Sequence, residues 1–373
     1  KKMVERGWNG NEEELRRLAA SLVVFGFDRS GEEASDHAKR MIRRGCTCAI
    51  LFGRNVSSPK QVKKLCTSLK LESEPHKLLI MTDQEGGRVA RLSVKENFTE
   101  IPSARTVASC SDDVNAVSTV AKVMASELKA VHIDMDLAPV VDVDSNPRNP
   151  VIGDRSYSSD SEKVGKLGSA FIEAMQAEGV ATCAKHFPGH GDTLQDSHKV
   201  LPVIKHKRSR LMSVEIPPFR DAIKSGVASI IVGHLLVPAL QDASEIKRNS
   251  PTSMSKSVVD LLRRGLGYEG VVLVDDMEMG AIADVEEAAV CSINAGVDLL
   301  LVCHSENKQI ASIEAIVRGV KQGIIPFDRV QEAAARVQHL VETYASVVRR
   351  DNTLKIVGSL EHRNIIKSIL KNM

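Results

Sequence analysis

Short runs of almost wholly apolar residues recur along the chain. Each is followed by a stretch in which apolar positions return every three or four residues. The apolar runs lie at 21–27 (SLVVFGF), 48–54 (CAILFGR), 77–83 (KLLIMTD), 133–140 (IDMDLAPV), 180–186 (VATCAKH), 229–235 (SIIVGHL), 270–276 (GVVLVDD) and 297–303 (VDLLLVC). Runs this short and this uniformly apolar fit strands covered on both faces. The intervening stretches, such as 32–45, 59–70, 114–132, 161–179, 286–296 and 307–323, read as amphipathic helices. Several end in Gly, which adopts the left-handed C-cap conformation without steric cost. Eight strand–helix repeats predict an α/β chain folded as a single (β/α)8 TIM-type barrel, with a doubly wound open sheet as the alternative. The patterns at 326–345 and 359–371 predict extra C-terminal helices. The expected organisation is one catalytic domain over 1–373, with 346–373 a helical tail.

Polar residues collect where the predicted strands end: FGRN, TDQEGGR, DVDSNPRNP, KHFPGHGD, GHLLVP and DDMEMG. Barrel enzymes build their sites at that end, so at least five strand ends are expected to share one pocket. Composition narrows its shape. Aromatic residues make up only 3% of the chain, with Trp8 the single tryptophan, so a compact pocket is expected rather than a long stacking cleft. The formal net charge of +2 is nearly balanced and predicts neither a nucleic-acid nor a membrane-surface partner. No apolar run approaches the roughly 20 residues of a membrane span. The seven cysteines are odd in number and scattered through apolar runs, which reads as reduced, buried thiols in a cytoplasmic protein. No signal peptide is visible, although the chain opens on Lys rather than Met, which leaves a removed leader open.

Four segments carry candidate chemistry. The richest is AKHFPGHGDTLQDSHKV (184–200), with Lys185, His186, His190, Asp192, Asp196 and His198 on a Gly- and Pro-punctuated loop. In Asp196-Ser197-His198 the carboxylate can hold one imidazole nitrogen and leave the other to move a proton. His190 reads equally well as a loop brace. In GVVLVDDMEMGAI (270–282), Asp275 and Asp276 end a strand. Strand alternation aims one of them at the pocket and leaves the other to cap the next helix. TDQEGGRVARL (82–92) supplies Asp83, Arg88 and Arg91 around a Gly-Gly turn, and NPRNPVIGDRSY (146–157) supplies Asp154 and Arg155. Arg88 and Arg91 are expected to pair Asp83 or Glu85, or to hold substrate.

Together these segments resemble glycoside hydrolase family 3, specifically its single-domain β-N-acetylglucosaminidases, including those of bacterial muropeptide recycling. The matching stretches occur in the family's order over about 15–345. KHFPGHGDT followed by D-S-H is the most specific of them. The resemblance implies Asp275 as nucleophile, His198 as acid/base supported by Asp196, and Asp83, Arg91, Arg155, Lys185 and His186 as sugar-binding residues. It implies an exo-acting, retaining enzyme that needs no metal or other cofactor. Its partner would be a GlcNAc-terminated oligosaccharide or muropeptide, acted on by a monomer or weak dimer. Some members of this branch are phosphorylases, so GlcNAc phosphorolysis stays open. DDMEM stands where DDLSM or DALDM is commoner, which leaves the catalytic positions intact.

Two rivals come from other classes. His186, His190 and His198 with Asp192, Asp196 and Asp275 could supply metal ligands by type, giving a metal-dependent barrel hydrolase, but Lys185 beside them would repel a cation. A non-catalytic glycan-binding barrel would be expected to have lost Asp275 or His198, and both are present.

Overall fold

The computed structural model describes residues 10–29, 31–195, 197, 200–348 and 353–371. Eight parallel strands close into a barrel: β1 (Val23–Phe25), β2 (Cys48–Leu51), β3 (Leu79–Thr82), β4 (Met135–Asp136), β5 (Ala181–Phe187), β6 (Ser229–Val232), β7 (Val271–Val274) and β8 (Leu299–Val302). Seven fall inside a predicted apolar run, β5 extends one residue beyond its run to Phe187, and β1 pairs β8 to complete the ring. Apart from the polar residues set into them, the strands are apolar because helices cover their outer faces and packed side chains fill the barrel.

A helix precedes the ring and one follows each strand: α1 (Glu12–Ser21), α2 (Asp36–Arg44), α3 (Pro59–Glu72), α4 (Asp113–Ala130), α5 (Ser161–Ala177), α6 (Pro217–Lys224), α7 (Lys256–Asp260), α8 (Val285–Ala295) and α9 (Glu306–Lys321). The sequence reading missed α1, although Asn11 caps it through Glu13 and Glu14 N–H and three acidic residues fill its first turn. Ser35, Ser58, Asp160, Ser255, Asp284 and Ser305 cap other members of the ring in the same way. α10 (Phe327–Tyr344) and α11 (Leu360–Leu370) are the two further C-terminal helices. α11 docks on α4 through buried Glu127, which accepts from His362 Nδ1 at 2.8 Å and from Thr99 Oγ1 at 2.5 Å. Among the described residues, no helix is long and apolar enough to cross a membrane.

The N-terminal end of the barrel is sealed by two matching ionic locks. Asp134, just before β4, accepts Ile80 N–H of β3 at 2.9 Å and pairs Lys70 of α3 at 2.5 Å. Asp298, just before β8, accepts Val272 N–H of β7 at 3.0 Å and pairs Arg263, Arg329 and Arg336. Each carboxylate thus ties two strands to a helix on opposite sides of the ring, and Asp298 fastens α10 across the floor.

Candidate active site

The opposite end holds a cavity of about 230 Å³ built from strand ends. Phe52 follows β2, Asp83 and Glu85 follow β3, Lys185 and His186 belong to β5, Asp275 and Asp276 follow β7, and Cys303 and His304 follow β8. Arg155 enters from a single turn of helix (Gly153–Arg155) in the loop after β4. The volume falls below the roughly 300–1,000 Å³ usual for drug-sized ligands, so it suits one small ring. Among the described residues, Phe52 is the one phenyl, tyrosyl or indolyl side chain on the wall, in keeping with the compact pocket expected.

One wall is a charge lattice. Lys185 Nζ lies 2.8 Å from Asp83 Oδ1 and 2.7 Å from Glu85 Oε1. Arg155 grips Glu85 through two parallel bonds of 2.7 and 2.8 Å, and Arg91 reaches Asp83 at 3.2 Å. Burial alone would push both carboxyls up. The Lys185 charge, joined by Arg91 at Asp83 and Arg155 at Glu85, overcomes it and holds both below the usual carboxylate range. Lys185 is likewise held charged against burial by Asp83 and Glu85. Every predicted sugar-binding residue lines this cavity. Arg88 does not; it pairs Asp154 at 3.1 Å and donates to the carbonyls of Val151 and Ile152.

Lys185 and His186 are sequence neighbours, yet both face the cavity. The β5–β6 register shifts between Ala184 and Phe187, which breaks the alternation that would send them to opposite faces. Asp142 then locks His186, with Oδ2 accepting from Nδ1 at 2.7 Å, while Nε2 lies 3.5 Å from Arg155 Nη2. Asp142 thereby fixes the orientation of the ring, with Nε2 on the side of Arg155 and the cavity. His190 is a braced residue at the cavity wall. Its ring nitrogens meet Thr193 Oγ1 at 2.9 Å and Ser197 Oγ at 3.0 Å. Burial, reinforced by the neighbouring His186, drops its pKa to about 4, so it is neutral at working pH. Gly191 lets the loop lie this deep, because a Cβ there would sit 1.7 Å from the Val143 carbonyl oxygen.

Asp275 sits beyond the last residue of β7. Burial raises its pKa, but the positive groups around it, His186 foremost, together with the Asp276 N–H at 2.9 Å from Oδ1, bring it down to about 2. His234 holds the backbone from behind. Nε2 lies 3.1 Å from both the Asp275 and Asp276 carbonyl oxygens, and Nδ1 lies 2.7 Å from Ser253 Oγ.

The expected division between the two aspartates needs correction. Both line the cavity, since the strand ends at Val274 and alternation no longer applies. Asp276 does not cap the next helix, which Asp284 caps instead. It accepts the N–H groups of Glu278 at 3.1 Å and Cys303 at 3.2 Å, tying the end of β7 to the end of β8, and its Oδ2 meets His304 at 3.2 Å.

Asp196 and His198 lie outside the described residues, and Ser197 between them is described: it is buried and lines the cavity. Of the six residues the metal reading would use, Asp196 and His198 lie outside the described residues. Asp192 is turned toward His206, and His186 and His190 are committed to Asp142, Thr193 and Ser197. Among the described residues no cluster of three or more His, Cys, Asp or Glu is arranged to hold a metal ion.

Sequence reasoning missed Glu85 as the lattice hub, Asp142 as the His186 lock, His234 behind the aspartates, and Asp136. Asp136 is fully buried under the lattice with Oδ1 on Gln84 N–H at 2.9 Å, and burial pushes its carboxyl well up. For Glu85, Asp142 and His234 the available signal was their position at or near a predicted strand end, whereas Asp136 stands inside the predicted run 133–140 and ends only the observed strand.

Comparison with known proteins adds an independent line. Residues 12–340 match the model of the glycosyl hydrolase family 3 N-terminal domain. A β-hexosaminidase A of Pseudoalteromonas piscicida is 38% identical over 269 residues, covering 68% of this chain; the chain spans only 45% of that relative's length. A β-hexosaminidase of Methylobacillus flagellatus is 33% identical over 77% of this chain and 82% of its own length. Among solved structures, a glycoside hydrolase family 3 β-N-acetylglucosaminidase from Paenibacillus sp. str. FPU-7 superposes with a TM-score of 0.87. It shares 37% identity and matches 96% of this chain and 68% of its own.

Proposed function

The chain belongs to glycosyl hydrolase family 3, a family of glycoside hydrolases, and from that premise we propose that it removes terminal, non-reducing N-acetylglucosamine from β-linked glycans with retention. The observation that carries the proposal is Asp275: an ionised carboxylate at the end of β7, in a cavity sized for one sugar ring and faced by the Lys185–Asp83–Glu85–Arg155 lattice. In this reading Asp83, Arg91, Arg155, Lys185 and His186 hold the ring through its hydroxyl and acetamido groups. Asp275 attacks the anomeric carbon while His198 gives its proton to the departing glycosidic oxygen, forming a glycosyl ester. Water then attacks that ester, its proton passes to His198, and Asp275 is released. Asp196 holds the imidazole in the tautomer that this proton traffic needs. The position of Ser197 on the cavity wall supports this role for its two neighbours. An imidazole with an ordinary pKa of about 6.5 needs no burial to work near neutrality.

The hexosaminidase names of the relatives support N-acetylglucosamine as the sugar. A muropeptide and a chitooligosaccharide both satisfy the one-ring pocket. The seven thiols, six of them buried, support a cytoplasmic setting. Phosphorolysis is the second reading, because a neutral imidazole repels an incoming phosphate less than a carboxylate would. Incubation with p-nitrophenyl N-acetylglucosaminide and the matching glucoside, with and without phosphate, tests the proposal. Free N-acetylglucosamine in both buffers and little turnover of the glucoside are expected. Preference for the glucoside would refute the sugar assignment, and a sugar 1-phosphate would move the reaction to the second reading.

A further inference from the structure

A second group of ionisable side chains stands behind the active site. His206 Nε2 bonds Asp192 Oδ2, and both side chains are partly exposed. Beside them lies Glu215, whose side chain is 1% exposed and paired to Arg210 at 2.9 Å. Its stem is the floor on which the loop rests: a Cβ added to Gly189 would meet Glu215 Cβ at 2.8 Å. Nothing in the mechanism above uses these four residues.

Their place along the chain gives them a use. Asp192 and His206 bracket 193–205, the segment that contains Asp196 and His198. Other described contacts fix the same two ends. At one, Asn149 Nδ2 donates to the His190 and Gly191 carbonyls at 2.8 and 3.0 Å. At the other, Ile204 N–H donates to Leu236 O at 2.9 Å and Leu236 N–H to Pro202 O at 2.8 Å. Those contacts anchor each end to the barrel separately. Among the described residues, the Asp192–His206 bond is a side-chain link that joins one end to the other. We propose that Asp192 and His206 are positioning residues that clamp the base of the acid/base segment and so set the aim of His198. The inference rests on the reading of His198 as the acid.

The clamp makes a prediction that general loosening of the fold does not. Proton donation matters in proportion to how poor the leaving group is, whereas attack by Asp275 does not depend on the clamp. His206→Gln should lower kcat/KM for a chitobiose-type disaccharide by about 10-fold and change it less than about twofold for an aryl glycoside with a dinitrophenolate leaving group. Asp192→Asn should behave alike, and the double variant should lose no more than the larger single loss, because both break one bond. His206→Arg, which can keep the pair, should recover at least half of the loss. The clamp is overturned by equal losses on both substrates, by no loss on the disaccharide, or by additive losses in the double variant. His198→Ala, measured alongside, separates the two claims. If it shows no leaving-group dependence, the acid assignment fails; if it does while His206→Gln shows none, the clamp alone fails.

Discussion

The two ends of the barrel use the same ingredients for opposite purposes. At the N-terminal end, the Asp298 side chain is fully buried among Arg263, Arg329 and Arg336, and Asp134 is nearly so against Lys70. Each also accepts a backbone N–H from the neighbouring strand, so the charge is spent on the fold. At the C-terminal end, Asp83, Glu85, Lys185, Arg91 and Arg155 pair with one another around an open cavity. Their polar edges are held in place yet still face a ligand. A buried ion pair is weak evidence for function by itself. What separates the two is which end of the strands they occupy and whether a cavity touches them.

The sharpest way to break this comparison is to remove one carboxylate from each end. Asp275→Ala should lower kcat by roughly 10⁴-fold or more while equilibrium binding of N-acetylglucosamine survives, read by calorimetry. Asp298→Ala should do the reverse. Three guanidinium groups lose their shared partner, so unfolding free energy should fall by about 3–5 kcal/mol in urea titration, while kcat/KM of the folded fraction stays within about twofold. A loss of activity without loss of stability at Asp298 would erase the distinction. Glu85→Gln should fall between them, costing on the order of 100-fold in kcat/KM by letting Lys185 and Arg155 shift.

Acid offers a subtler probe of the upper end. Asp83, Glu85 and Asp275 all have folded-state pKa values below their ordinary ones, Asp275 at about 2. Groups of this kind bind protons more readily in the unfolded chain. Their stabilisation is complete above about pH 4 and is lost as pH falls toward 2. Melting temperature should therefore drop steeply across that window, and Asp275→Asn should flatten the drop; an unchanged slope would contradict the assigned shift. The smallest effect belongs to the outer surface. Arg318 and Glu286 form an ion pair half exposed on both sides, and Arg318→Ala should change unfolding free energy by less than about 1 kcal/mol.

The same contrast explains what could be read from sequence. Burial on both faces gives a strand a nearly continuous apolar signature, so all eight strands stood out in linear sequence despite the polar residues set into β4 and β5. The segment KHFPGHGDT was equally legible, because so dense a set of ionisable groups is costly to bury and tends to cluster at sites. Pairing across the barrel was not. Glu85 meets Arg155 from 70 positions away, and Lys185 meets Asp83 from 102, distances that no local pattern encodes. Strand alternation failed at two places for one reason: it assumes a regular ladder. The ladder shifts at Lys185–His186 and has ended before Asp275–Asp276, and those irregularities put both members of each pair in the cavity.

The central claim, that Asp275 forms a covalent bond to the sugar, is tested most directly by trapping the intermediate. The probe is 5-fluoro-N-acetylglucosaminyl fluoride, which forms the ester readily and hydrolyses slowly, followed by proteolysis and mass spectrometry. The account predicts one added fluorosugar on Asp275 and none in Asp275→Ala. A label on Asp276 or any other residue would contradict it.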